Sequence, residues 1–166
     1  MAKITLQGNE INTNGDLPAV GDDAPDFHLV DTELNDRHLA DYAGKKKLLN
    51  IVPSLDTGVC ATSTKHLNEV LAQRDDVDVL VVSADLPFAS GRFCIEEKLS
   101  HVTALSMMRS RNFAKDYGVL ITDGPLAGVT ARAVVIIDEN NKIIYNELVP
   151  EIAQEPDYDS AIKALG

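Results

Sequence analysis

The sequence predicts an α/β fold in which one central mixed β-sheet is flanked by helices. Two short apolar runs, at residues 47–52 and 77–83, are typical of buried parallel strands. The segment between them, from Val59 to Leu71, repeats its apolar residues with the period of a helix. Residues 131–138 and 142–148 alternate around a polar turn, which indicates an antiparallel hairpin. The sheet is therefore expected to contain both parallel and antiparallel strands.

Two further hairpins are predicted at the start of the chain. Alternating residues in Lys3–Gln7 and Glu10–Thr13, separated by Gly8-Asn9, indicate an N-terminal hairpin within residues 1–15. We expect that hairpin to be an appendage of the main domain. A second pair of short alternating segments lies within Phe27–Leu39.

The middle and the end of the chain continue the alternation of helices and strands. A helix is predicted from Pro87 to Leu99, because proline is tolerated in a first helical turn. A strand at Val102–Ser106, a short helix at Asn112–Tyr117 and a loop at Gly118–Gly128 follow, and a helix at Asp157–Leu165 closes the fold. This order of elements is thioredoxin-like.

Composition narrows the classes of function. With 166 residues, 45% of them hydrophobic, the chain can form one full domain covering residues 1–166. A net charge of −11 argues against binding to nucleic acid or to an anionic membrane surface. The sequence has no apolar segment typical of a signal peptide or a membrane span, so we expect a cytoplasmic protein. Its four histidines lack zinc-type spacing, and we expect no metal and no other cofactor.

Cys60 is one of only two cysteines, and it lies where a predicted strand gives way to a predicted helix. Unpaired N–H groups and the positive dipole end at a helix start stabilise a thiolate. A free cysteine is only a few per cent ionised at pH 7, so even a large fall in pKa raises the thiolate fraction only about thirtyfold. Orientation and charge stabilisation must therefore contribute to any fast reaction of this thiol.

The residues around Cys60 resemble those of a known family. Pro53, Thr57 and Cys60 reproduce the Pro-x-x-x-Thr/Ser-x-x-Cys signature of peroxiredoxins. The chain is similar over nearly its whole length to the bacterial thiol peroxidases, which are atypical two-cysteine peroxiredoxins. The matching stretches are residues 53–60, 83–89, 92–94, 131–135 and 155–158. The resemblance implies a thioredoxin-like fold and reduction of hydroperoxides by a cysteine.

The resemblance also implies a role for each residue of the site. Cys60 is expected to be the peroxidatic cysteine, with Thr57 hydrogen-bonding the sulfur and the peroxide and Pro53 shielding the sulfur from water. Arg132 is expected to stabilise the thiolate and to polarise the peroxide. Spacing alone does not decide which arginine supplies the positive charge, since three others are available: Arg92, Arg109 and Arg111. The Asp56 carboxylate would oppose ionisation of a nearby thiol, so we expect it to point away.

Cys94 is the second cysteine, on the helix predicted after the next strand. Neighbouring parallel strands bring the two cysteine-bearing helices to the same edge of the sheet. If the second helix begins near Pro87, Cys94 lies about 10 Å along it. Since a disulfide requires Cα atoms within roughly 7 Å, part of this helix must unwind, which Ser90-Gly91 makes easier.

The resemblance implies a cycle with three steps. Cys60 is oxidised to a sulfenic acid, Cys94 condenses with it into an intrachain disulfide, and thioredoxin reduces that disulfide. A homodimer is also implied. Apolar residues near the predicted site favour an uncharged organic hydroperoxide as substrate besides hydrogen peroxide: Leu55, Val59, Leu86 and Phe88.

Two alternative functions remain open from the sequence. A general thiol–disulfide oxidoreductase normally carries a Cys-x-x-Cys pair, and no second cysteine follows Cys60 at that spacing. A redox sensor could use the same cysteine pair to report oxidation to a partner protein without catalysis.

Overall fold

Nine strands and four α-helices make up the computed structural model, which describes residues 1–166. The strands are β1 (Lys3–Leu6), β2 (Asn9–Asn12), β3 (His28–Val30), β4 (Asp36–His38), β5 (Lys46–Ile51), β6 (Val77–Ser83), β7 (Val102–Ser106), β8 (Ala133–Ile137) and β9 (Ile143–Leu148). The helices are α1 (Gly58–Val70), α2 (Pro87–Glu96), α3 (Asn112–Asp116) and α4 (Tyr158–Leu165), with a short 3₁₀ helix at Leu39–Tyr42. No helix is long and apolar enough to cross a membrane.

Seven of the strands form one sheet, in the order β4-β3-β7-β6-β5-β8-β9. The three central strands β5, β6 and β7 are parallel to one another, and every other pair in the sheet is antiparallel. The predicted mixed sheet is confirmed. Both parallel connections run in the same direction across the sheet, so α1 and α2 lie on the same face.

Alternation along the central strands divides the buried side chains between two core clusters. In β5, Leu49 belongs to a cluster of 22 residues on one face, whereas Leu48 belongs to a cluster of 16 residues on the other. The smaller cluster contains Cys60 and packs against Phe93, Cys94 and Tyr158. The face of the sheet that carries α1 and α2 therefore holds both cysteines.

The N-terminal hairpin is confirmed, but it is part of the core and not an appendage. Its turn is formed by Gln7 and Gly8, both with positive φ, one residue earlier than the predicted Gly8-Asn9. Ile4 and Ile11 pair directly across the two strands and are buried in the larger cluster. Because one face of the hairpin is apolar, burial against the sheet holds it in place.

Helix α2 is shorter than predicted, since it ends at Glu96 and not at Leu99. Lys98 adopts a left-handed conformation with φ +54° and donates its N–H to the Ile95 carbonyl at 3.2 Å. The Leu99 N–H donates to the Cys94 carbonyl at 2.9 Å. This pair of bonds is a Schellman cap, which terminates the helix immediately after the segment that carries Cys94.

Candidate active site

The loop between β5 and α1 positions Cys60. The chain leaves the sheet through Val52 and Pro53, both buried, and α1 begins after Thr57. Cys60 is the third residue of α1, so its backbone N–H has no acceptor within the helix. Its side chain is completely buried, and it forms no disulfide.

Strand β8 brings Arg132 to the same place. The ladder with β9 continues one residue before β8, where the Val149 N–H donates to the Arg132 carbonyl at 2.9 Å. Alternation then places Arg132 on the same face as Val134, which belongs to the cluster around Cys60. Arg132 Nη1 donates to Cys60 Sγ at 2.8 Å, and Nε donates to the Ile152 carbonyl at 2.8 Å.

The Arg132 guanidinium is only 1% exposed and forms no ion pair with a carboxylate. A buried cation needs a counterion or several acceptors, and the Cys60 sulfur is the group here that can carry a negative charge. The other candidate arginines make contacts elsewhere: Arg92 pairs with Glu96, Arg109 pairs with Asp36, and Arg111 donates to the Gly128 carbonyl. Arg132 is thus the arginine that contacts Cys60.

Thr57 has a different contact from the one expected. It is the N-cap residue of α1 and is exposed, and its hydroxyl donates to the Ser54 carbonyl at 3.1 Å, not to the Cys60 sulfur. With its proton used in this bond, the Thr57 oxygen keeps its lone pairs free to accept a hydrogen bond. Asp56 is also exposed, whereas the Cys60 sulfur is buried.

Tyr158 is a neighbour of the site whose contribution the sequence reasoning missed. Burial raises the pKa of its phenol to about 12, while the nearby Ser63 hydroxyl and Arg132 act in the opposite direction. The Tyr158 and Ser63 hydroxyls are both buried, and neither has a partner of good hydrogen-bond geometry. His66 lies against the Tyr158 ring, with centroids 4.9 Å apart. Only the match of residues 155–158 to the family pointed to this position.

Cys94 lies within α2 as a free, half-buried thiol. Burial raises its pKa above the ordinary value, so the protonated thiol is favoured in the closed helix. Cys94 lines a groove of about 350 Å³ together with Thr32, Leu99 and Ala104. A separate cavity of about 150 Å³, between α2 and the loop before α1, is lined by the neighbouring Phe93 instead. The two cysteines therefore lie on separate, intact helices, with Cys60 completely buried and Cys94 half-buried in its groove.

The expected apolar pocket is not present. Of the four apolar residues expected there, only Leu55 lines the cavity of about 150 Å³. Leu86 and Phe88 are 54% and 68% exposed, because they lie on the solvent side where α2 begins. Charged side chains line much of the cavity: Asp56, Asp85, Arg92 and Glu96. No group of three or more His, Cys, Asp and Glu side chains has a geometry that could hold a metal ion.

Comparison with known proteins assigns the chain to a family. The sequence model of the redoxin family matches residues 19–162, which include both cysteines and Arg132. The chain belongs to the redoxin family. Within this family it is 50% identical over 165 residues to the thiol peroxidase of Corynebacterium glutamicum, covering 99% of each chain.

Solved structures of redoxins agree with this assignment. A peroxiredoxin-like protein from Aquifex aeolicus superposes with a TM-score of 0.93 at 41% identity, covering 99% of this chain and 96% of that one. A thiol peroxidase from Chromobacterium violaceum gives 0.91 at 29% identity, covering 98% and 94%. This redoxin is a peroxiredoxin-type enzyme, a thiol-dependent peroxidase, which favours catalysis over the oxidoreductase and sensor alternatives.

Proposed function

We propose that this redoxin reduces hydrogen peroxide and alkyl hydroperoxides by a cycle in which Cys60 is the peroxidatic cysteine and Cys94 the resolving cysteine. The observation that carries the proposal is the hydrogen bond of 2.8 Å from the buried Arg132 guanidinium to Cys60 Sγ. A permanent cation held against a buried sulfur stabilises its anionic form, and the anion is the nucleophile.

In the first step the Cys60 thiolate attacks the terminal oxygen of the hydroperoxide. The S–O bond forms as the O–O bond breaks, so sulfur is oxidised to a sulfenic acid that keeps the terminal O–H, and the departing oxygen takes a proton from solvent and leaves as alcohol or water. Arg132 and the free N–H at the start of α1 stabilise the charge that develops on oxygen. Thr57 accepts the hydrogen bond of the peroxide O–H, and buried Pro53 excludes water.

In the second step the Cys94 thiol attacks the Cys60 sulfenic acid, and water leaves as the intrachain disulfide forms. Cys94 must leave its groove to reach Cys60. Several features weaken α2 around it. Gly91 is a poor helix former. The buried Ser90 hydroxyl has no hydrogen-bond partner, and Lys98 holds a left-handed conformation in the cap.

An external dithiol of the thioredoxin type then exchanges with the disulfide and restores both thiols. Such a reductant operates in a reducing compartment, which supports a cytoplasmic location. We also propose a homodimer. Exposed apolar side chains in and beside α2 and after β7 provide surface that a second copy can cover: Leu86, Phe88, Ile95 and Met108.

A coupled assay tests the proposed function. Consumption of NADPH is followed with thioredoxin, its reductase and a hydroperoxide, for the wild type and the variants Cys60→Ser and Cys94→Ser. We expect turnover in the wild type, no peroxide reduction in Cys60→Ser, and a single oxidation of Cys60 without thioredoxin-dependent turnover in Cys94→Ser. Normal turnover of Cys94→Ser would exclude the resolving role.

A further inference from the structure

Asp85 links the two segments that carry the cysteines. It lies in the turn between β6 and α2, two residues before α2 begins at Pro87. Its carboxylate accepts hydrogen bonds from two groups of the loop that precedes α1, Ser54 Oγ and the Leu55 N–H, each at 2.7 Å. Ser83 Oγ donates to the same carboxylate at 3.1 Å. One side chain at the start of the Cys94 helix thus holds the loop that leads to Cys60.

The contacts of Ser54 extend this link to Thr57. The Ser54 carbonyl accepts the hydrogen bond of the Thr57 hydroxyl at 3.1 Å, and Ser54 Oγ accepts from the Asp56 N–H at 3.0 Å. Both polar groups of Ser54 therefore shape the turn that ends at the N-cap of α1. Because the Asp85 carboxylate orients the Ser54 hydroxyl, it also determines where the Thr57 oxygen lies.

The cavity of about 150 Å³ lies at this junction. Leu55 and Asp85 line one side of it, and Ala89 and Phe93 of α2 line the other. A movement of the first turns of α2 therefore changes both the cavity and the position of Asp85. The turn and the loop are joined by charge-assisted hydrogen bonds, which are stronger than bonds between neutral groups.

We propose that Asp85 is a positioning residue that couples the two steps of the cycle. With α2 closed, its carboxylate holds Ser54, and through it Thr57, in the geometry for attack on the peroxide. When α2 opens to bring Cys94 to the sulfenic acid, the hydrogen bonds of Asp85 restrain that movement and must be released. This inference rests on the proposed function and adds a residue that contacts neither cysteine sulfur.

Replacement of Asp85 by asparagine separates the two effects. In Asp85→Asn one acceptor oxygen becomes an NH₂ group, which cannot accept a hydrogen bond from Ser54 or Leu55. We expect formation of the sulfenic acid, measured by chemical trapping in a Cys94→Ser background, to slow about tenfold, as for a misplaced active-site group. Disulfide formation after a peroxide pulse, measured with Cys94 present, is expected to be at least as fast as in the wild type.

Three controls make the test decisive. Asp75→Asn removes the same charge from an exposed position between α1 and β6 and is expected to leave both rates within about twofold. Ser54→Ala also removes one of the two loop contacts and leaves the bond to the Leu55 N–H, so it is expected to slow the first step to a similar extent. The double variant should be no slower than Asp85→Asn alone, because both substitutions break the same link.

Two results would overturn the inference. One is an unchanged rate of sulfenic acid formation in both Asp85→Asn and Ser54→Ala. The other is an equal slowing of both steps, which general destabilisation would produce. Failure of the wild type itself to form a sulfenic acid at Cys60 would instead refute the proposed function, so the two failures are distinguishable.

Discussion

Among single residues, Arg132 carries most of the proposed chemistry. Burying a guanidinium is costly unless acceptors or an anion compensate its charge. The Arg132 Nε donates to the Ile152 carbonyl, and its Nη1 donates to the Cys60 sulfur. An ionised sulfur completes this arrangement, whereas a neutral one leaves the cation without a counterion. The proposed mechanism assigns to this contact the stabilisation of the attacking sulfur.

Arg132→Lys tests whether the guanidinium must donate to both of its acceptors. A lysine keeps the positive charge, but its single ammonium cannot reproduce the bonds to both the Ile152 carbonyl and the Cys60 sulfur. We expect kcat/KM for hydroperoxide to fall about 100-fold or more, as when a donor that stabilises a transition state is removed. Arg109→Lys is the matched control, since Arg109 pairs with Asp36 at the β3–β4 hairpin. Equal kcat/KM values in the two variants would contradict the role of Arg132.

The residue pattern specifies candidate members of the site but not their contacts. Pro53, Thr57 and Cys60 form a local signature, so one short segment suffices to find them. The partner of the Thr57 hydroxyl depends on the shape of the loop, which a motif does not specify. A contact of Asp85 with Ser54 and Leu55 cannot be predicted from a local motif, because it joins segments that lie about thirty residues apart.

At the scale of elements, α2 combines local instability with a tight cap. Gly91 costs about 0.5–1 kcal/mol relative to alanine in a helix interior. The left-handed Lys98 adds about 1 kcal/mol, because its side chain opposes that conformation. Burial of the unpartnered Ser90 hydroxyl opposes folding further. Each of these costs disappears when the helix opens, so the opening required for the Cys94 reaction is made easier.

Gly91→Ala tests this account of α2. A Cβ added at Gly91 meets only the Thr32 side chain, at 3.7 and 3.8 Å, which are ordinary contact distances. The substitution is therefore expected to stabilise α2 without steric cost and to slow disulfide formation about two- to fivefold. The rate of sulfenic acid formation, measured in parallel by quenched-flow trapping, should not change. Disulfide formation at the wild-type rate would show that opening of α2 does not limit the second step.

The end of α2 at Glu96, three residues before the predicted Leu99, is not marked by any residue type in the sequence. Its start was predicted because Pro87 is a strong local signal. The stop depends on Lys98 adopting positive φ, a conformation more typical of glycine, so no residue type in the sequence marks it. By contrast, the apolar run at residues 77–83 predicts β6 with its observed bounds, and the strand predicted at Val102–Ser106 matches β7.

At the scale of the whole molecule, the sheet brings distant segments to one site. Cys60 follows β5, Arg132 precedes β8, and these two strands are neighbours in the sheet. The Thr130 hydroxyl donates to the Val52 carbonyl at 2.9 Å and fixes the two strand ends relative to each other. The sequence predicted the strands and their mixed direction. Which two strand ends would meet could not be read from hydrophobic period, and only the family resemblance selected Arg132.

The N-terminal hairpin contributes to the stability of this whole structure. Ile11 is buried in the larger core cluster and pairs with Ile4. We expect Ile11→Ala to lower the free energy of unfolding by about 2–5 kcal/mol, as for other deletions of buried aliphatic groups. Urea titration followed by circular dichroism measures this change, with the exposed Val20→Ala as the control. A loss below about 0.5 kcal/mol would indicate that the hairpin is an appendage after all.

In the proposed cycle, one chain forms a disulfide between its own Cys60 and Cys94. The most direct measurement exposes the reduced protein to one equivalent of hydroperoxide without reductant, alkylates the remaining thiols and identifies the linked peptides by mass spectrometry. We expect a single disulfide that joins the Cys60 and Cys94 peptides, in protein that migrates as a monomer on a non-reducing denaturing gel. Alkylated Cys94 beside oxidised Cys60, or a disulfide between two chains, would contradict it.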